Sequence, residues 1–195
     1  MTTTHLLYLH GFRSSPQSNK ARQMAEHMAA IHPKVRWWSP QLPPSPRDAA
    51  AMIAEGIASW PRQTMAVVGS SLGGYYASWV AQLARCKSVM INPAVNPARD
   101  LEQCIGEQTA WHNPEEHFFF KPEYITELRQ LDTREFSAAA PEMVLIAQGD
   151  EVAVVFVGVP HDDRVLALVG RGHVRILLVR PICLLVPDGH RAPLE

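Results

Sequence analysis

A serine hydroxyl becomes a useful nucleophile when the backbone lifts it clear of its neighbours, a base takes its proton and amide hydrogens receive the oxyanion it creates. Residues 69–74 read Gly69-Ser70-Ser71-Leu72-Gly73-Gly74, and the spacing Gly-x-Ser-x-Gly is met only with Ser71 at its centre, because Ser70 has Val68 and Leu72 where glycines would be needed. In that register the glycines two before and two after let a strand and a helix pass closely, and the turn holds Ser71 at strained angles above the sheet. The Leu72 N–H, at the start of the helix, then faces an oxyanion formed beside Ser71. The same short string also marks small-residue packing turns. The flanking sequence separates the two readings: an apolar, strand-like run lies at 65–68 and a one-sided helix at 75–85, which is the setting the nucleophilic turn requires.

A second oxyanion donor is needed from another strand end. Leu9-His10-Gly11-Phe12 closes the first apolar run; Gly11 permits a sharp exit and leaves the Phe12 N–H able to point at the same oxygen. Its plainer reading is a strand-ending turn with a surface histidine. The base and the acid that orients it should follow the serine in the order serine, acid, histidine. Asp150 ends the apolar run 143–147 plus Gln148-Gly149 and is the candidate acid, with Glu151 beside it as the fallback. For the base, order admits His161, His173 and His190; His173 is favoured because Gly170-Arg171-Gly172 makes a loop after the strand-like 165–169. A phosphate loop at 69–74 is disfavoured, since no lysine follows its glycines and no GxGxxG follows the first strand.

To position these groups, the chain alternates strands with helices. Residues 6–9 form a short strand; within 18–31, Ala21, Met24, Ala25, Met28 and Ile31 recur at helical spacing and Pro33 stops the run. A strand at 35–38 leads into SPQLPPSP at 39–46, a stiff loop because proline fixes φ and donates no ladder hydrogen bond. Ala49, Met52, Ile53, Ile57 and Trp60 then stripe a helix over 46–60, followed by the strand at 65–68, the turn at 69–74, the helix at 75–85 with Tyr76, Trp79, Val80 and Leu83 on one face, and a strand at 89–91. Such alternation implies an α/β fold, a mostly parallel sheet with helices on both faces and a site at the strands' C-terminal ends. From about 93 to 140 the alternation lapses into a cap-like insertion over the sheet edge, helical near 123–131. Its Trp111, Phe118, Phe119, Phe120 and Tyr124 line an apolar acyl pocket on one reading and pack the core on the other.

The bulk properties narrow the partners. A chain of 195 residues is one domain, 1–195. With 47% hydrophobic and 19% charged residues it is neither disordered nor fibrous, and a net charge of −1 offers no footprint for nucleic acid or an acidic membrane. The N-terminus lacks the features of a secretory signal, and Arg180 and Pro181 break the longest apolar region. Cys86, Cys104 and Cys183 are scattered, without metal-ligand spacing. The expectation is a cytoplasmic protein acting on a small molecule, with no metal, no cofactor and no membrane span; the oligomeric state is not legible.

LLYLHGF followed by SSP, then PQLPP, VGSSLGGYYA, INPAV and QGDEV, in that order, resemble the YqiA-type esterases of bacteria over about residues 5–152. The resemblance implies a small α/β-hydrolase with Ser71 as nucleophile, Asp150 as acid and backbone donors at Phe12 and Leu72. It also implies hydrolysis of carboxylic esters or acyl thioesters without a cofactor. Beyond Val152 the likeness stops. Relatives continue with a helix, a strand, a GGxH-like turn carrying the base and an aromatic-rich helix. Here AVVFVGV at 153–159 is strand-like, and from Val152 onward there is no Lys, Ser, Thr, Asn, Gln, Tyr or Trp. Solvated faces and helix caps are built from those residues, so segment 152–195 is atypical and reads as translated out of frame relative to its relatives, with a genuinely divergent tail as the alternative. The alternative function is then a catalytically impaired or noncatalytic hydrolase-like binding protein, in which the turn survives but no base reaches Ser71.

Overall fold

The computed structural model describes residues 2–133 and 142–147, together with the backbone of two strands at 165–170 and 173–178. In chain order the elements are β1 (His5–Leu9), α1 (Asn19–Ile31), β2 (Arg36–Trp38), α2 (Pro46–Gly56), β3 (Met65–Ser70), α3 (Leu72–Ala84), β4 (Lys87–Ile91), α4 (Pro97–Asp100), β5 (Gly106–Ala110), β6 (Asn113–Phe120), α5 (Glu123–Gln130), β7 (Glu142–Ala147), β8 (Val165–Gly170) and β9 (His173–Leu178).

Seven strands form one sheet in the order β2-β1-β3-β4-β7-β8-β9. All pair in parallel except β9, which runs antiparallel to β8. From β1 the chain steps outward to β2 and then returns to the other side of β1 as β3, so winding reverses between β1 and β3. Crevices form outside the carboxyl ends of strands at such a reversal, and both Gly11 and Ser71 follow those two ends.

Strand alternation divides the core between two faces. Leu7, Leu9, Met65 and Val67 pack with Ala49 and Ile53 of α2, Tyr76 and Val80 of α3 and Leu128 of α5. Leu6, Tyr8 and Val68 face the other way, against Ala21 of α1 with Met24 and Met28 beside it. The expected parallel sheet with helices on both faces is therefore present.

Three local differences have physical causes. Helix α2 ends at Gly56 rather than Trp60; a Cβ at Gly56 would sit 1.9 Å from the Trp38 ring, so this end is shaped by close approach of an indole. Helix α3 starts at Leu72 rather than Tyr75, because packing overrides the low helix propensity of Gly73-Gly74. The segment after β4 contains an antiparallel hairpin, β5–β6, that the apolar periodicity does not announce. Its β6 is exposed from Asn113 to His117 and buries only its last residue, Phe120.

Candidate active site

One residue separates β3 from α3, and it is Ser71, with φ 55° and ψ −121°. A side chain in that conformation is strained, and the surroundings over-determine it. The Ser71 N–H donates to Ile91 O at 3.0 Å, and Ser71 O accepts from Gly74 N–H at 2.8 Å and Ala94 N–H at 3.0 Å. The flanking glycines make the bend possible: a Cβ on Gly69 would lie 1.9 Å from Gly73 O, and one on Gly73 would lie 2.0 Å from Leu9 O. The side chain of Ser71 is exposed and caps no helix amide. A strained, accessible hydroxyl at a strand-to-helix turn is thus what this glycine pattern builds.

The turn after β1 comes up against it. A Cβ placed on Gly11 would stand 3.1 Å from Ser71 Cβ and 3.5 Å from Ser71 Oγ. Neither the Phe12 N–H nor the Leu72 N–H donates a hydrogen bond to a described residue, and both residues line one cavity of about 220 Å³.

His10 organises this turn in a way the sequence did not reveal. It is 4% exposed, not a surface residue. Its Nδ1 lies 3.0 Å from Gly11 O, and its Nε2 accepts from the Leu42 N–H at 3.1 Å. Those partners select the tautomer with hydrogen on Nδ1. One neutral imidazole therefore ties the Gly11 turn to the proline loop. Burial lowers its pKa, against the hydrogen bond to Gly11 O, and His112 nearby lowers it further.

The β5–β6 hairpin closes over the same turn. Phe12 packs edge-on against Phe118 and Phe120, with ring centroids 5.9 and 5.1 Å apart. Arg13, at φ 58°, donates from Nε to Thr109 O at 2.6 Å and stacks its guanidinium 4.4 Å from the Trp111 ring centre. Of the five aromatics considered for an acyl pocket, Phe118 lines the 220 Å³ cavity, with Leu42, Leu72 and Tyr76 as other apolar walls. Phe120 is buried in the core with Tyr124 packed against it, Phe119 faces solvent, and Trp111 lines a different cavity that contains Ser71.

The remaining candidates lie where less is described. Asp150 falls outside the described residues, as do Glu151, His161 and His190. Strand β7, which precedes Asp150, ends at Ala147 on the sheet edge where Ser71 emerges: Ser70 is level with Ile91, Ile91 with Leu145, and Leu145 with Ala167. His173 opens β9 opposite Gly170, at that same edge. Its backbone stands four strand positions from β3, roughly 19 Å at the usual strand spacing. Among the described residues no cluster of His, Cys, Asp and Glu could hold a metal ion, and no helix is long and apolar enough to cross a membrane.

The model of the uncharacterised protein family UPF0227 matches residues 5–159. The chain belongs to that family. The match ends close to where the composition changes. Solved structures with the same architecture include alpha/beta hydrolase domain-containing protein 10 from mouse, at 14% identity and a TM-score of 0.59, covering 87% of this chain and 80% of that one. Est1E from Butyrivibrio proteoclasticus superposes with a TM-score of 0.61 at 13% identity, over 87% of this chain and 79% of its own. A monoacylglycerol lipase of Paleococcus ferrophilus gives 0.60 at 14% identity, over 87% and 85%. This member of UPF0227 therefore has the α/β-hydrolase fold.

Proposed function

We propose that the chain is a serine esterase that cleaves carboxylic esters or acyl thioesters through an acyl-enzyme at Ser71. The observation that carries this reading is the conformation of Ser71: exposed, at φ 55°, one residue from both β3 and α3 and beside Gly11. Ser71 Oγ attacks the carbonyl carbon, and the Phe12 and Leu72 amides receive the negative charge that develops on the carbonyl oxygen. The Ser71 proton passes to the base, for which His173 is proposed, with Asp150 holding it in the correct tautomer. The base then protonates the departing alcohol or thiol, and water, activated by the same base, releases the acid. The acyl chain lies in the cavity walled by Leu42, Leu72, Tyr76 and Phe118. The monoacylglycerol lipase among the superposed proteins is named for ester chemistry of this kind.

The test is turnover of a p-nitrophenyl ester by the chain and by Ser71→Ala. Loss of the reaction in the variant supports the proposal, and equal rates in the two proteins refute it. A second reading is favoured by the four strand positions between β3 and His173: an intact nucleophilic turn with no base beside it, hence a binding protein. Rapid stoichiometric labelling of Ser71 by a fluorophosphonate excludes that reading, because an unassisted serine reacts slowly.

A further inference from the structure

Two cavities share the His10–Phe12 turn, and their walls differ in charge. The one walled by Leu42, Leu72, Tyr76 and Phe118 also has Arg13 and Glu116, charges of opposite sign, in its lining. The other, of about 340 Å³, holds Ser71 together with Ser70, Asn19, Lys20 and Trp111. Lys20 Nζ donates to Ser70 Oγ at 3.3 Å, which keeps an ammonium next door to the nucleophile. Among the described residues Lys20 has no carboxylate within ion-pair distance, and no Asp or Glu lines this cavity. An ammonium carries three donors, and only one of them is used by Ser70. The Trp111 indole also lines this cavity, with the Arg13 guanidinium stacked on it.

Building on the esterase reading, we infer that this second cavity receives the leaving-group half of the substrate and that this half carries an anionic group, carboxylate or phosphate, bound by Lys20. Acylation forms the bond from Ser71 Oγ to the carbonyl carbon and breaks the bond from that carbon to the leaving oxygen or sulfur. The proton lost by Ser71 returns to the leaving atom through the base, and the anionic alcohol or thiol departs past Lys20. The acyl half lies against Leu42, Leu72, Tyr76 and Phe118, in a cavity whose Arg13 and Glu116 are of opposite sign, whereas among the described residues Lys20 is the one charged residue lining the other, so the two cavities sort a substrate that is apolar at one end and negative at the other.

The experiment compares kcat/KM for 4-acetoxybenzoate and 4-acetoxyphenyl phosphate with that for methyl 4-acetoxybenzoate, which has the same acyl group and a neutral leaving group. The anionic-to-neutral ratio is expected to fall about 3-fold in Lys20→Met and further in Lys20→Glu, mainly through KM, the size typical of one exposed charge pair. It should also fall with added salt. Whichever anionic substrate shows the larger ratio identifies carboxylate or phosphate as the group recognised. Lys87→Glu makes the same change of charge at the start of β4, at the opposite sheet edge, and should leave the ratio unaltered. A ratio untouched by Lys20→Glu, or lowered equally by Lys87→Glu, overturns the inference. If none of the three esters is cleaved, the esterase reading fails, and the cavity is tested without turnover by calorimetric titration of 4-hydroxybenzoate and phenyl phosphate into the Ser71→Ala protein. Binding weakened by Lys20→Glu then sustains the anion site, and binding unchanged by it, or no binding at all, removes it.

Discussion

His10 couples the Gly11 turn to the proline loop through a single uncharged ring. Because Nε2 accepts the Leu42 N–H, protonation would replace an acceptor with a donor facing a donor. With burial as the main cause, its pKa is lowered from the ordinary 6.5. The folded state thus binds fewer protons than the unfolded one below that pH. This contribution to stability is fully present above about pH 6.5 and is lost as pH falls toward the depressed folded-state value. Urea unfolding between pH 8 and pH 5 should show stability declining on the acid side. In His10→Leu, which can neither titrate nor accept a hydrogen bond, the decline should be shallower, and the protein should be weaker at pH 8 by about 1–3 kcal/mol because the part-buried Leu42 amide loses its acceptor. Parallel pH profiles in the two proteins would refute this role. Gly73 gives a sharper test of the turn itself: a methyl group 2.0 Å from Leu9 O cannot be accommodated without moving β1 from α3. Gly73→Ala should therefore abolish Ser71 labelling by a fluorophosphonate, and a variant that labels normally would show that the bend is not needed.

The elements that frame the site are joined by polar groups as well as by apolar packing. Glu127, in α5, is buried and accepts from Ser45 Oγ at 2.8 Å and from the Arg47 N–H at 3.1 Å, while Ser45 Oγ accepts from the Asp48 N–H. A carboxylate from α5 thus satisfies the N-terminus of α2, where anions are favoured. Glu127→Ala strands those donors and should cost about 2–3 kcal/mol, whereas Glu127→Gln keeps an acceptor and should cost less; urea midpoints for the pair measure the difference. The sequence announced α2 through its apolar stripe and α5 only as a helical stretch near 123–131, and it announced β1, β3, β4 and β7 as apolar runs between turn residues. It could not announce Glu127, since a glutamate on a short helix looks solvated until the partner's unfilled amides are known. Nor did it announce β5–β6, whose Asn113, Pro114, Glu115 and Glu116 are all exposed. Strand signals come from burial, and this hairpin buries little beyond Phe120 and Ala110. At the site, the Ser71 turn was legible because glycine spacing is a steric requirement written in consecutive residues. Lys20 was not, because its nearness to Ser70 exists only after α1 has docked beside β3.

At the scale of the whole molecule, the sheet needs something beside β7 whatever the tail encodes. An exposed parallel edge leaves a row of backbone groups unpaired, and β8 supplies the partner, in register from Met143 opposite Val165 to Ala147 opposite Val169. Any β-branched, apolar segment long enough to lie there would do, which is why a tail of abnormal composition is compatible with the fold. Catalysis is more demanding: it requires one imidazole at one place, and β9 turns back antiparallel immediately after β8, carrying His173 into the sheet. If residues 152–195 are read out of frame, a shifted frame of the encoding DNA should specify a GGxH-like turn and an aromatic-rich closing helix after Asp150. The chain bearing that ending should label at Ser71 about 100-fold faster with a fluorophosphonate, the lower range of what a positioned base contributes. Absence of such an ending from both shifted frames defeats the frame explanation. Labelling that is already rapid in the present chain, and lost in His173→Ala, would instead show that the hairpin delivers its histidine to the nucleophile across those four strand positions.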